Sequence, residues 1–268
     1  MTLPDNPTGR LASPATVRAL CQVAAAHQLI IISDEIYRDL VHDRATPMLS
    51  PAEVAPRATV VTTGLSKSLA LGGWRLGAAR MPDGPLGDRL GRALLGVGSE
   101  IWSAPAAPIQ HAAALAFTEP PPVRERVAAS RSLHATVARA MAGVCTGAGL
   151  LVPPPQAAFY LYPDFEPWRA HLRTRHQVTT GAGLARLMLD RYGSATLPAS
   201  AFGEPPGTLR LRLATGLLYG DTPQQREAAL AAPDPLTLPS IAGALARLQE
   251  ILADLASPAS GPVARLGT

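Results

Sequence analysis

The sequence predicts an α/β protein with a mostly parallel sheet in its first part and a smaller α+β region after it. Residues 29–32 and 59–63 are short, continuous, β-branched apolar runs, the pattern of strands covered on both faces in a parallel sheet. Helical patterns lie before and after them. The composition then shifts: residues 143–155 are rich in Gly and Pro, and short strand and helix signals mix beyond them.

Element by element, Asn6-Pro7-Thr8-Gly9 reads as a turn, because proline fixes φ and glycine accepts positive φ. Ser13 ahead of Pro14 supplies an N-cap and a first-turn proline. Val17, Leu20, Val23 and Ala24 recur at helical spacing, so residues 15–27 are expected as helix. The first strand ends at Ser33-Asp34-Glu35, and open α/β sheets place ligands just beyond the carboxyl ends of such strands. The second strand runs into Gly64-Leu65-Ser66-Lys67-Ser68, and a third is expected over 76–80, after the Gly72-Gly73 turn. Helices are expected over 86–95, 105–117 and 122–142, the last long enough to connect two domains. Then come a strand over 159–162, a helix over 183–192, an alternating strand over 209–213 and a helix over 239–255. Residues 257–268, rich in Pro, Gly and Ser, are expected to be disordered.

Bulk properties exclude several classes. A chain of 268 residues, 47% hydrophobic and 16% charged, can bury a core as one large or two smaller domains. No apolar run approaches the ~20 residues of a membrane span. The opening Met-Thr-Leu-Pro-Asp-Asn has neither a basic start nor an apolar stretch, so no signal peptide is expected. Cys21 and Cys145 lie far apart, without a CxxC pattern or paired histidines. Neither a disulfide framework nor a metal site is expected, and the setting is read as reducing and cytoplasmic. The net charge of +4 comes from arginines spread along the chain, with no dense basic run and no interleaved aromatics, so no nucleic-acid partner is expected.

One count stands out. Of 24 basic residues, 23 are arginine and one, Lys67, is lysine. Where positive charge suffices, this sequence uses arginine. A lone lysine marks a position suited to a primary amine, which can lose its proton and form a Schiff base where guanidinium effectively cannot.

Asn6-Pro7-Thr8-Gly9, Asp34-Glu35-Ile36-Tyr37, Ser66-Lys67 and Gly73-Trp74-Arg75-Leu76-Gly77 occur in an order and spacing that resemble the class I/II aminotransferases of fold type I. Leu209-Arg210-Leu211-Arg212-Leu213-Ala214 is similar to the family's C-terminal arginine strand. The resemblance covers nearly the whole chain. It implies the fold type I architecture, with pyridoxal 5'-phosphate as cofactor, an amino acid and a 2-oxo acid as substrates, and a homodimer. Residues 1–120 would form the rear half of the cofactor-binding large domain, and residues 121–256 the connecting helix and small domain.

Position by position, the resemblance makes Lys67 the residue that forms the Schiff base and then serves as general base. Asp34 would pair with the pyridine nitrogen and keep it protonated, which strengthens the electron sink. Asn6 and Tyr37 match positions that hydrogen-bond the ring's phenolic oxygen. Arg75 would grip the cofactor phosphate in bidentate fashion, with the Ser66 hydroxyl beside it. Arg210 aligns with the residue that binds the substrate α-carboxylate, with Arg212 as neighbour or rival. Outside that setting each has a plainer reading: Asp34 as a cap, Asn6 as a turn residue, Tyr37 as a half-buried helix residue, Arg210 as a solvent-facing strand arginine. Glu35 and Ile36 take no role from the family.

Two departures stand against the pattern. Many relatives have a serine three residues before the lysine; here that position is Gly64, with Thr63 as a candidate replacement. In the family Asn-Pro-Thr-Gly comes well over a hundred residues into the chain, whereas here it begins at residue 6. The resemblance therefore implies an incomplete sheet with exposed apolar edges. Besides transamination, the motifs are compatible with a lyase or decarboxylase of the same fold, or with a truncated, non-catalytic aminotransferase-like chain.

Overall fold

The structure is a computed structural model that describes residues 1–257; the expected disorder over 257–268 falls, beyond Ser257, outside the described residues. The chain divides into two compact units.

The first unit comprises residues 1–135, 155–159 and 230–232. Helix α1 (Pro14–Ala26) starts where expected, with the Ser13 hydroxyl accepting from the Thr16 amide at 3.1 Å and Pro14 in the first turn. Its buried face, Val17 and Cys21, packs with Leu3 against Ile31, Leu49 and Val54. Strand β1 (Ile31–Asp34) pairs in parallel with β2 (Thr59–Gly64), in a register that sets Asp34 opposite Thr62. Between them lies the single-turn helix α2 (Pro51–Val54), closed by a capping box from Ser50 and Glu53. Strand β3 (Gly77–Arg80) runs antiparallel to β2, giving the order β1-β2-β3. The first residues run parallel beside β1: the Leu3 amide donates to the Asp34 carbonyl at 2.8 Å, and the Asp34 amide to the Met1 carbonyl at 2.9 Å. Helices α3 (Pro85–Ile101) and α4 (Ala107–Phe117) and the first part of α5 (Pro121–Gly147) complete this unit.

The expectation of strands covered on both faces needs correction. Ile32 in β1 is 59% exposed, while its neighbour Ser33 is fully buried. The apolar run is parallel-paired as predicted, but among the described residues only one of its faces is covered. Leu95, Ile101 and Trp102 on and beside α3 are also exposed.

The second unit takes in residues 136–154, 160–229 and the chain from residue 233 onward. Its sheet is antiparallel throughout, in the order β4 (Tyr160–Leu161), β6 (Leu211–Ala214), β5 (Leu197–Pro198). Helices α6 (Arg169–His176), α7 (Gly181–Tyr192), α8 (Pro223–Ala231) and α9 (Pro239–Ala256) accompany it. The apolar periodicity reveals α7 and α9 but not α6 and α8. Their sequences carry one buried side chain each, Leu172 and Ala229, too few to make a period. The core gathers Phe165, Leu172, Leu184, Met188, Leu211 and Leu252. Truncating Phe165, buried and edge-on to Trp168 at 5.8 Å, empties the middle of this cluster. Phe165→Ala is expected to cost about 3–5 kcal/mol, read as a lower urea midpoint of the tryptophan fluorescence transition.

Candidate active site at the carboxyl ends of β1 and β2

Parallel pairing brings the ends of β1 and β2 to one level. Asp34 closes β1 half-buried, its Oδ1 accepting from the Thr62 hydroxyl and from the Ile36 amide, both at 3.3 Å. The second bond is the local cap that a strand-end aspartate makes; the other carboxylate oxygen has no hydrogen bond to it in the described residues. Tyr37 is buried, at the entry to a 3-10 turn (Arg38–Leu40), not on a longer helix.

Lys67 follows β2 in the loop from Leu65. Its Nζ lies 5.9 Å from the centre of the Tyr37 ring and 6.0 Å from that of Phe159. The two rings meet edge to face at 5.7 Å. Phe159 was not singled out by sequence reasoning; it arrives on a segment far along the chain. Residues 155–159 are tied down by backbone: the Gly9 carbonyl accepts from the amides of Gln156 (3.2 Å) and Ala157 (2.9 Å), and the Leu40 carbonyl from Ala158 (3.0 Å). Ala158 takes a left-handed φ of 58°, unusual for a residue with a Cβ. Through Gly9 this segment also meets the turn that carries Asn6, a half-buried residue beside the Asp5–Thr8 hydrogen bonds.

Ser66 and Arg75 line one small open cavity of about 190 Å³, with Thr63, Gly64, Ile36, Leu76 and Gly77. Arg75 has a left-handed φ of 52° and donates to the Gly72 carbonyl at 2.8 Å. Two hydroxyls and a guanidinium are the donor set a phosphate requires. Thr63, the candidate replacement for the missing serine, lies in this lining. A serine at position 64 has no room: a Cβ there would sit 2.9 Å from the Leu76 carbonyl oxygen of the adjoining strand segment. Gly64→Ser is therefore expected to destabilise the chain by about 1–3 kcal/mol. An unchanged chemical-denaturation midpoint would show that β3 yields easily.

Behind Phe159 lies His134, buried, its ring 5.1 Å from that of Phe159. Burial, and secondarily the charge of His42, push its pKa down to about 4. With the folded value below the unfolded one, the unfolded chain binds more protons between pH 4 and 6.5, so stability falls as pH drops through that window. The contribution amounts to at most about 3 kcal/mol. Wild type is expected to lose urea stability between pH 7 and pH 5 more steeply than His134→Leu; equal losses would remove His134 from the acid response.

Arg210 belongs to the second unit. As the alternation predicts, Leu209, Leu211 and Leu213 are buried and both arginines lie between them, partly exposed. Arg210 is held by two carboxylates, Asp164 at 2.9 Å from Nε and Glu204 at 2.8 Å from an Nη nitrogen. Glu204 also accepts from the Tyr162 hydroxyl at 2.8 Å. Arg212 stacks over the rings of Tyr160 and Phe202, at 4.5 and 5.1 Å. Among the described residues no group of His, Cys, Asp and Glu is arranged to hold a metal.

A parallel strand pair ending in an aspartate and a lysine loop, with a phosphate-type donor set beside them, defines a fold type I protein of the pyridoxal-phosphate-dependent class. The chain belongs to the aminotransferase class I and II family, whose sequence profile matches residues 1–218. It is similar to an aspartate aminotransferase of Geobacillus stearothermophilus, 32% identical over 228 residues, covering 83% of this chain and 54% of that protein. An aspartate/prephenate aminotransferase of Cereibacter sphaeroides is 32% identical over 218 residues, covering 79% and 52%. Among solved structures, Thermus thermophilus aspartate aminotransferase with maleate superposes with a TM-score of 0.73 at 25% identity, over 94% of this chain and 56% of that one. The chain thus spans about half the length of the relatives it matches.

Proposed function

We propose that this chain carries the lysine, pyridine-partner and phosphate positions of a pyridoxal-phosphate-dependent aminotransferase that moves an amino group between an α-amino acid and a 2-oxo acid. The observation that supports this best is the placement of Lys67. The one lysine in the sequence stands beside the edge-to-face pair of Tyr37 and Phe159 and next in the chain to Ser66 of the phosphate-type cavity.

When bound, pyridoxal phosphate supplies an electron sink for the bond broken at the substrate's α-carbon. Asp34 would present its carboxylate to the pyridine nitrogen and keep a proton there. Tyr37 and Asn6 would donate hydrogen bonds to the phenolic oxygen. Arg75, Ser66 and Thr63 would bind the phosphate. The Lys67 amine would hold the cofactor and would serve as the base for the proton on the substrate α-carbon. Phe159 shields that amine from water on one side. Arg210 would take the substrate α-carboxylate with the N–H groups that Asp164 and Glu204 leave over.

We assign residues 1–120 to the large domain and 121–256 to the connecting helix and small domain, and read the functional unit as a homodimer. The two cysteines are free and buried, in keeping with a reducing, cytoplasmic setting. Among the described residues no helix is long and apolar enough to cross a membrane. Relatives named as aspartate aminotransferases favour transamination over lyase or decarboxylase chemistry and make aspartate the first amino donor to assay.

The test is an absorbance spectrum of the chain with pyridoxal phosphate beside a Lys67→Ala control. Wild type is expected to show a visible band that the control lacks, and Lys67→Arg is not expected to restore it. Amino transfer from aspartate to 2-oxoglutarate should fall about 10²–10⁴-fold in Lys67→Ala. Ammonia release in place of transfer would favour the lyase reading. A folded wild type with no Lys67-dependent band overturns the proposal for this chain.

A further inference from the structure

Glu35 lies between two residues assigned to the cofactor, yet neither the family pattern nor the reaction uses it. Its side chain is fully buried. Alternation along the strand end sends Ser33 and Glu35 to one face and Asp34 to the other. On that inner face the Glu35 carboxylate collects three donors: the Ser33 hydroxyl at 3.1 Å, the Ser50 hydroxyl at 2.5 Å, and an Nη of Arg38 at 3.1 Å. Its backbone is fixed as well, the amide donating to Thr62 at 2.8 Å and the carbonyl accepting from the Arg38 amide at 3.0 Å.

These partners come from three places. Ser33 belongs to β1, Arg38 to the turn after Tyr37, and Ser50 to the N-cap of α2. Ser50 is itself held twice over: its hydroxyl accepts from Ala52 at 3.2 Å and its amide donates to Glu53 at 2.9 Å. A buried carboxylate with such partners is costly to disturb, because the two serine hydroxyls left behind are themselves buried; the half-exposed Arg38 can turn to water. The Asp34–Tyr37 segment is therefore gripped from its inner side, at the residue between the pyridine partner and the phenol.

We propose that Glu35 is a positioning residue: its clamp on Ser33, Ser50 and Arg38 fixes the Asp34–Tyr37 turn and thereby the geometry with which Asp34 and Tyr37 meet the cofactor ring. The inference rests on the function proposed above. Glu35 itself touches no cofactor and moves no proton. A glutamine there keeps the volume, and its oxygen in the place of Oε1 can still accept from both serine hydroxyls, but it removes the charge and turns an amide NH₂ toward the Arg38 guanidinium, which it cannot serve as an acceptor.

Two measurements on the full chain test it, with Lys67→Ala alongside. In the first, the Lys67-dependent absorbance band is titrated with pH in wild type, Glu35→Gln and Ser50→Ala; Ser50→Ala removes one donor and leaves the charge. The midpoint is expected to rise by about one pH unit in Glu35→Gln, and by less in Ser50→Ala, as the hydrogen bond from Tyr37 to the ring oxygen and the hold of the Asp34 carboxylate on the protonated ring nitrogen weaken. In the second, amide hydrogen exchange is followed without cofactor. Exchange at residues 36–38 is expected to quicken about tenfold or more in Glu35→Gln, while α1 is unchanged. A band whose midpoint stays at the wild-type value in both variants overturns the positioning role, whatever happens to stability. If wild type gives no Lys67-dependent band, the functional reading fails and the ring geometry with it. Exchange then decides the clamp alone, and equal protection at 36–38 in wild type and Glu35→Gln disproves that too.

Discussion

Everything in the candidate site depends on the register of one parallel strand pair. With Asp34 opposite Thr62, the chain leaves β1 toward Tyr37 and leaves β2 toward Lys67 at the same level. A slip of one residue would turn Asp34 to the inner face and bring Glu35 out, exchanging the two carboxylates. The register is held by side chains as well as by the ladder: Thr62 binds Asp34 across the pair, and Glu35 is locked behind it by Ser33 and Ser50. Two adjacent carboxylates thus have opposite tasks, one facing the site and one facing the frame, and strand alternation assigns them.

The parts legible in the sequence were those with a local signal. The Ser13-Pro14 start of α1, the β-branched runs of β1 and β2, and the leucine alternation around Arg210 all report on neighbours a few residues away. Lys67 was legible for a different reason, because a chain that uses arginine everywhere else keeps one amine. Phe159 was not legible: its approach to Lys67 rests on hydrogen bonds from residues 156–158 to Gly9 and Leu40, more than a hundred residues earlier. The exposure of Ile32 was likewise invisible, since an apolar run states only that it can be covered, not that anything covers it. Helices α6 and α8 carry too little apolar surface to announce themselves.

The glycine at position 64, where the family resemblance leads one to expect serine, has a physical reading. The Leu76 carbonyl presses close against the backbone of residue 64 as the chain enters β3, leaving no space for a Cβ. Thr63, one residue earlier, keeps a hydroxyl in the same lining. Arg210 matches its family motif and is paired within its own unit, to Asp164 and Glu204.

The scarcity of lysine also makes the molecule an unusually clean analytical object. Its sequence offers two kinds of primary amine, the Met1 α-amino group and the Lys67 side chain. The first donates to the Ile32 carbonyl at 2.8 Å at the start of the sheet; the second lies beside a pair of touching aromatic rings. A reagent that captures amines or reduces imines thus has no background of surface lysines to contend with. The mass added to a single peptide becomes a direct stoichiometric count of aldehyde held by the protein.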